Sequence, residues 1–400
     1  MAPPDVLTGR TWYPGTMDAG TGRAGVDRPS PSPGDRPTVG VEEEYLLLDP
    51  ESGLPLPRVD AVRELAGLHP AIDHEELQNE LLQAQVEVAT PVCHDLEEVG
   101  GHLLRLRHAL ASAAEAEGCR LAACGTAPYA PAAPPLIVDA PRYHSIRKVV
   151  SRLADEAMIN GMHVHVAVPD PRTGVEVLNR LRPWLPVLTA LSANSPIWYG
   201  SDTGYASWRT IVFGRWPISG IPPHFADAAD YESRIDHLLA AELIRDRGQL
   251  YWQARLSAKF PTVEVRAMDV QLRADEAVML AGLVRALVAS ATRDAAAGRR
   301  SDPRTPESLE GAAWHAARYG LDGTLHDPAS GLARPAAEIV RGMLDHLGPV
   351  LDEMGDTRAV APLVHRLLAE GNGAGRQRRY LAEQGRAGLI TMIAAESAAS

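Results

Sequence analysis

Long apolar runs are missing from this chain of 400 residues. None approaches the roughly 18 residues that a membrane-crossing helix needs, so no such helix is expected. The first residues hold no basic stretch followed by an apolar one, so no secretory signal is expected either. Cysteine is scarce. Cys93, Cys119 and Cys124 form an odd set, and the Cys119–Cys124 spacing has no further Cys or His ligands nearby. That argues against a zinc site and fits free thiols in a reducing cytoplasm. Positive charge is in deficit: the formal net charge of -12 argues against a nucleic-acid or anionic-membrane partner. It leaves nucleotide binding open, because a divalent ion can bridge acids to phosphates. A Gly-x-x-x-x-Gly-Lys-[Ser/Thr] loop and a Gly-x-Ser-x-Gly elbow are both absent. Gly371-Asn-Gly-Ala-Gly375 lies between expected helices with no strand before it, which makes it a poor phosphate cradle.

What is present is a globular composition, 45% hydrophobic and 22% charged, sufficient for a large core in one elaborate domain or two intimate ones. Residues 1–37 are rich in Pro, Gly, Ser, Asp and Arg without apolar period and read as a mobile arm. Strands are expected at about 38–48, 81–90, 121–125, 162–168, 250–256 and 261–270. Helices are expected at about 59–68, 95–117, 145–157, 174–182, 184–193 and 228–246, with Asp95 and Glu98 forming a capping box. The segment 196–224, rich in Gly, Pro and Trp, has no clear period; so long an irregular stretch is usually functional. From 275 to 397 the pattern is helical almost throughout. Strands before 270 and a helical tail indicate α+β with a mainly antiparallel sheet. The apolar helices near 275–298 and 335–353 are either core or the face of a homodimer.

The chemistry concentrates in the expected strands. Glu42, Glu43 and Glu44 interrupt an apolar run, Thr38-Val-Gly-Val-Glu-Glu-Glu-Tyr-Leu-Leu-Leu-Asp49. Strand side chains alternate faces, so Glu42 and Glu44 share one side and Glu43 takes the other. Two carboxylates on one face repel unless a cation lies between them, and the oxygen pair suits Mg²⁺ or Mn²⁺. The bland alternative is a solvated acidic edge strand. In Glu80-Leu-Leu-Gln-Ala-Gln-Val-Glu-Val-Ala-Thr90, Glu87 sits among apolar neighbours and Glu80 near the strand's start; an exposed loop position for Glu80 is the plain reading. In Gly161-Met-His-Val-His-Val-Ala-Val168, His163 and His165 share a face, as metal ligands, phosphate ligands or satisfied core residues. Glu264 and Arg266 share a face too, either as a simple ion pair or as a metal ligand and an anion-holding fork. Tyr205, Trp208 and Arg209 in the irregular segment suit a substrate carboxylate or a nucleotide, unless that loop merely packs on its tryptophans.

Taken together, Thr38–Pro50, Gly161–Pro169, Asp202-Thr-Gly-Tyr-Ala-Ser-Trp-Arg209 and Thr262-Val-Glu-Val-Arg266 resemble the carboxylate–amine ligases of glutamate–cysteine ligase type 2, over about residues 38–390. The resemblance implies a glutamine-synthetase-like catalytic core, in which a partly closed antiparallel sheet holds divalent ions and ATP on its concave face. It implies metal binding by Glu42, Glu44, Glu80, Glu87, His163 and Glu264. Arg266 would lie by the transferred phosphate, with Glu87 also catalytic and with Tyr205, Arg209 and His165 contacting substrate or nucleotide. Gln83 and His165 depart from the family pattern. The implied reaction joins an amino-acid carboxylate to an amine through an acyl phosphate, with glutamate and cysteine as default substrates. A single ligase domain over 38–397, small-molecule partners and a cytoplasmic location complete the expectation. Two rivals remain on the residues alone. A metallohydrolase built on His163-Val-His165 fits the dispersed glutamates poorly. A catalytically silent nucleotide or metal binder on the same fold would not need so full a set of acids.

Overall fold

The structure is a computed structural model, and it describes residues 36–130, 133–301 and 304–399. The expected mobile arm at 1–37 lies outside the described residues except for Arg36 and Pro37. Seven strands form one sheet: β1 (Val39–Leu48), β2 (Leu77–Asn79), β3 (Gln85–Ala89), β4 (Arg120–Ala122), β5 (Gly161–Ala167), β6 (Ala254–Leu256) and β7 (Thr262–Asp269). Their spatial order is β6-β7-β5-β1-β3-β2, with β4 pairing the far end of β1, and every pairing is antiparallel. The α+β, mainly antiparallel expectation therefore holds. Its closure does not: β6 and β2 are opposite edges with no ladder between them, so the sheet is open.

Alternation in the sequence sets the two faces. Val39, Val41, Val86, Val88, Val164, Val166, Val263 and Val265 are buried on one side. There they meet helices α1 (Leu96–Ala116) and α2 (Ala274–Ala296). Asp95 caps α1 by accepting from Glu98 N at 2.9 Å, as expected, but the Glu98 carboxylate accepts from His94 N at 2.6 Å, one residue before the cap, so the box is not the reciprocal one its spacing predicts. Helix α2 is buried on nearly every side, because its Ala, Val and Leu residues are enclosed by the sheet, α1 and later helices including Ala336–Met354. Of the two readings of these apolar helices, α2 is core.

Several boundaries differ from expectation. The strand expected over 81–90 forms only from Gln85, because the chain turns just before it, with Gln85 N donating to the Leu82 carbonyl at 3.0 Å. The helix expected from 145 starts at Pro141, whose fixed φ suits a first helical position, and it breaks at Ser151. The helical tail contains a small hairpin, Thr324–His326 with Ala333–Pro335, closed over an Asp327–Gly331 turn. The irregular segment includes the helix Trp208–Phe213, capped by Ser207. Among the described residues no helix is long and apolar enough to cross a membrane.

Candidate active site

A cleft of about 2620 Å³ lies over the face of the sheet opposite the valine core. Register brings the acids to it. Glu44 is directly opposite Glu87, Glu87 opposite Gln78, Glu42 opposite His163, His165 opposite Glu264, and Glu264 opposite Arg255. Residues opposite one another in an antiparallel ladder share a face. Glu42, Glu44, Glu80, Glu87, His163, His165, Arg209, Glu264 and Arg266 all line the cleft. Tyr205 does not. Its ring packs against Trp208 and Trp314 and under Arg318, so it belongs to the wall behind Arg209. This is the plain packing reading of that loop.

The site divides into two groups of contrasting charge state. In the first, Glu42 Oε2 lies 3.0 Å from His163 Nδ1, and Glu42 Oε1 3.2 Å from His165 Nε2. Burial raises the Glu42 pKa, but hydrogen bonds from both histidines outweigh it and hold the carboxyl well below its usual range. Glu264 accepts a two-pronged contact from Arg255, Nε to Oε2 at 2.7 Å and Nη2 to Oε1 at 3.1 Å, and a short bond from Arg266. Burial opposes ionisation there too, yet Arg266 and then Arg255 hold Glu264 low. The ion-pair reading of Glu264 and Arg266 and their placement in the cleft are thus both present. Burial lowers His163, aided by Arg266, whereas Glu42 and Glu264 overcome burial to raise His165.

The second group has too few cations. Burial and then Glu44 push Glu80 up to about 7. Burial, followed by Glu42, Glu80 and Glu44, pushes Glu87 well above the carboxylate range. Glu44 Oε2 accepts from Gly161 N at 2.6 Å, which anchors one of its oxygens.

Arg209 is wholly buried and held by its backbone, with Arg209 N donating to Ser195 Oγ at 3.0 Å. Ser195 Oγ and Ser207 Oγ donate in turn to the two oxygens of Asp269, at 2.7 and 2.8 Å. Among the described residues its guanidinium is in ion-pair contact with no carboxylate. It reaches the Arg266 carbonyl at 3.4 Å, leaves Nε unpaired, and passes so close to Gly161 that a Cβ there would strike it. Burial lowers its pKa.

Divalent ions suit this donor set. Ligand atoms of Glu42, His165 and Glu264 lie within 4.8 Å of one another, and the crowded Glu80 and Glu87 resist ionisation without a positive neighbour. The tightest set uses His165 where the resemblance points to His163; both histidines face the cleft. Sequence reasoning passed over Arg255, Asp269 and the partner of Glu43. Arg255 becomes legible only from the pairing of β6 with β7, and Asp269 only from the return of the 194–207 loop.

The site is thus an open antiparallel sheet whose acid-lined face carries two cleft-facing histidines and clustered arginines. The chain matches the model of glutamate–cysteine ligase family 2 over residues 38–395 and belongs to that family of ligases. A relative from Nocardia farcinica, with the provisional name glutamate–cysteine ligase 2-1, is 44% identical over 90% of this chain and 93% of its own. A similarly named relative from Salinispora arenicola is 45% identical over 86% of this chain and 90% of its own. Among solved structures, the glutamate–cysteine ligase of Francisella tularensis in complex with AMP matches with a TM-score of 0.70 at 11% identity. The match covers 91% of this chain and 88% of that one. A bifunctional glutathione synthetase from Pasteurella multocida matches with a TM-score of 0.65 at 16% identity, over 90% of this chain. This chain spans about half of that longer protein, 52%. At these identities the structural likeness is one of fold.

Proposed function

We propose that the chain is a cytoplasmic, ATP-dependent carboxylate–amine ligase that activates a substrate carboxylate as an acyl phosphate and releases ADP. Glutamate is the default carboxylate donor and cysteine the default amine, with weak activity on that pair. The observation that carries the reading is the convergence of Glu42, Glu44, Glu80, Glu87, His163, His165 and Glu264 with Arg266 and Arg209 in one cleft. Glu42, Glu44, Glu80, Glu87, Glu264 and the histidines would hold Mg²⁺ or Mn²⁺, which when bound neutralises phosphate charge and makes the γ-phosphorus more electrophilic.

The chain's own groups then have distinct tasks. Arg266, kept charged by Glu264, offers a planar fork to the moving phosphoryl group. Arg209, buried and without a carboxylate in contact among the described residues, is suited to an anionic substrate group that enters the cleft. Glu42 holds His163 and His165 in place by hydrogen bonds. Phe213, Trp216 and Tyr251 line one wall and keep water from an acyl phosphate, with Trp216 and Tyr251 in edge contact at 4.9 Å. The test is ADP release measured across a panel of amino acids and amines, with and without glutamate. ATP turnover that depends on both a carboxylate and an amine supports the reading. Binding of ATP without turnover under any pairing would replace it with a silent binder.

A further inference from the structure

Glu43 stands between two cleft-facing glutamates but points the other way, into the core. It is wholly buried, at a strand position whose inward neighbours along β1 are Val41 and Tyr45. Arg107 of α1, equally buried, grips it with two prongs: Nε to Oε2 at 3.0 Å and Nη2 to Oε1 at 2.5 Å. Tyr45 OH donates to the same carboxylate at 2.5 Å. The remaining donors of Arg107 go to the carbonyls of Leu272 and Gln271, both at 2.9 Å, just beyond the end of β7. The Gln271 side chain donates to the Asp269 carbonyl at 2.7 Å.

An apolar pair of similar volume would fill this space without the desolvation that a buried ion pair incurs, so stability alone does not call for Glu43 and Arg107. Position does. The three consecutive glutamates do not choose a register by themselves; Val39 and Val41 bias it, and a slip by one residue would put Glu43 in the cleft and Glu42 and Glu44 in the core. The Arg107 fork accepts one of the three. The same guanidinium ties that glutamate to the segment leaving β7, the strand that carries Glu264 and Arg266.

We propose that Glu43 and Arg107 form a positioning clamp. It fixes the register of Glu42 and Glu44 and their placement relative to β7, and so sets the cation response of the site without touching substrate. The clamp itself rests on packing and register; its effect on cations rests on the ligase reading above.

The test replaces the pair by apolar residues, Glu43→Leu with Arg107→Met. Peptide-resolved hydrogen exchange is measured on ligand-free protein, and Mn²⁺ binding is measured by titration. The expected result is a folded protein whose amides in 39–48 and 262–272 exchange at least about tenfold faster, with distant helices unchanged, and whose Mn²⁺ affinity falls at least about tenfold. Unchanged exchange in both segments overturns the clamp. Should the double variant not fold, Tyr45→Phe removes only the hydroxyl donated to Glu43, and unchanged exchange in 39–48 there overturns it equally. Altered exchange together with no Mn²⁺ binding by the wild-type chain would leave the clamp standing and sink the ligase reading instead.

Discussion

Glu44 and Glu87 face each other directly across β1 and β3, on the cleft side of the sheet. Like charges at such a cross-strand position destabilise a sheet, the more so when burial removes the water that would screen them. Burial first, and then Glu42, Glu80 and Glu44, make Glu87 hold its proton to unusually high pH. The Glu87→Gln variant removes the repulsion while preserving shape. It should fold, melt a few degrees higher than wild type in metal-free buffer near pH 8, and lose turnover by about a hundredfold or more, because a neutral amide is a poor ligand for a hard cation. Thermal melts and ADP release measure both effects. Full Mg²⁺-dependent activity in this variant would make Glu87 structural.

The raised carboxyls also fix a pH dependence. A carboxyl whose folded pKa lies above its unfolded value makes the folded state bind protons more tightly, so stability falls as pH rises between the two values. For Glu80 that interval runs from 4.5 to about 7, and Glu87 is shifted in the same direction. Glu42 and Glu264 are held low, so their contribution is lost only at pH below the ordinary carboxylate range. His163, lowered by burial, opposes the trend up to about pH 6.5, whereas His165, raised by Glu42 and Glu264 against burial, adds to it above that value. Metal-free protein should therefore melt at progressively lower temperature from about pH 5 to 7.5, and excess Mg²⁺ or Mn²⁺ should flatten the decline. A melting temperature that rises over this range without metal would contradict the like-charge account.

The sequence was most informative where alternation was strong. Glu42, Glu44, Glu87, His163, His165 and Glu264 reach one face because a period of two, once anchored by valines, decides each side chain's direction. Tyr205 misled because loop residues carry no period: its neighbour Arg209 turns into the cleft while Tyr205 packs on Trp314. Arg107 was invisible for another reason. Its partner is 64 residues away, and nothing local distinguishes a buried guanidinium from a solvated one on a helix that also carries Arg105. The open sheet edges were likewise unreadable, since closure depends on strand pairing far apart in the chain.

Gly161 offers a probe of Arg209. A Cβ there would overlap the guanidinium, whose Cζ would lie 2.8 Å away. Gly161→Ala should leave the β1–β5 ladder intact, cost about 1–3 kcal/mol from overpacking, and push Arg209 out of position. Turnover should fall about tenfold or more, with the larger change in the KM for the carboxylate substrate. Unchanged kinetics in a folded variant would remove Arg209 from substrate binding.

The acyl phosphate is tested by following oxygen. The cleft gathers carboxylates and arginines, and the proposed mechanism uses no serine or cysteine nucleophile. Activation must then come from the substrate carboxylate attacking the γ-phosphorus, with ADP leaving. One carboxylate oxygen becomes the bridge between carbon and phosphorus. When the amine attacks the carbonyl carbon, the carbon–oxygen bond breaks and that oxygen departs with phosphate. Glutamate labelled with heavy oxygen in its side-chain carboxylate, incubated with ATP, Mg²⁺ and the best amine, should therefore yield one labelled oxygen in each inorganic phosphate alongside ADP. Arg266→Lys, which keeps the charge but loses the planar fork, should slow phosphate release without changing where the label goes. AMP and pyrophosphate among the products would show adenylation instead, and amide formed without ATP would remove the ligase mechanism altogether.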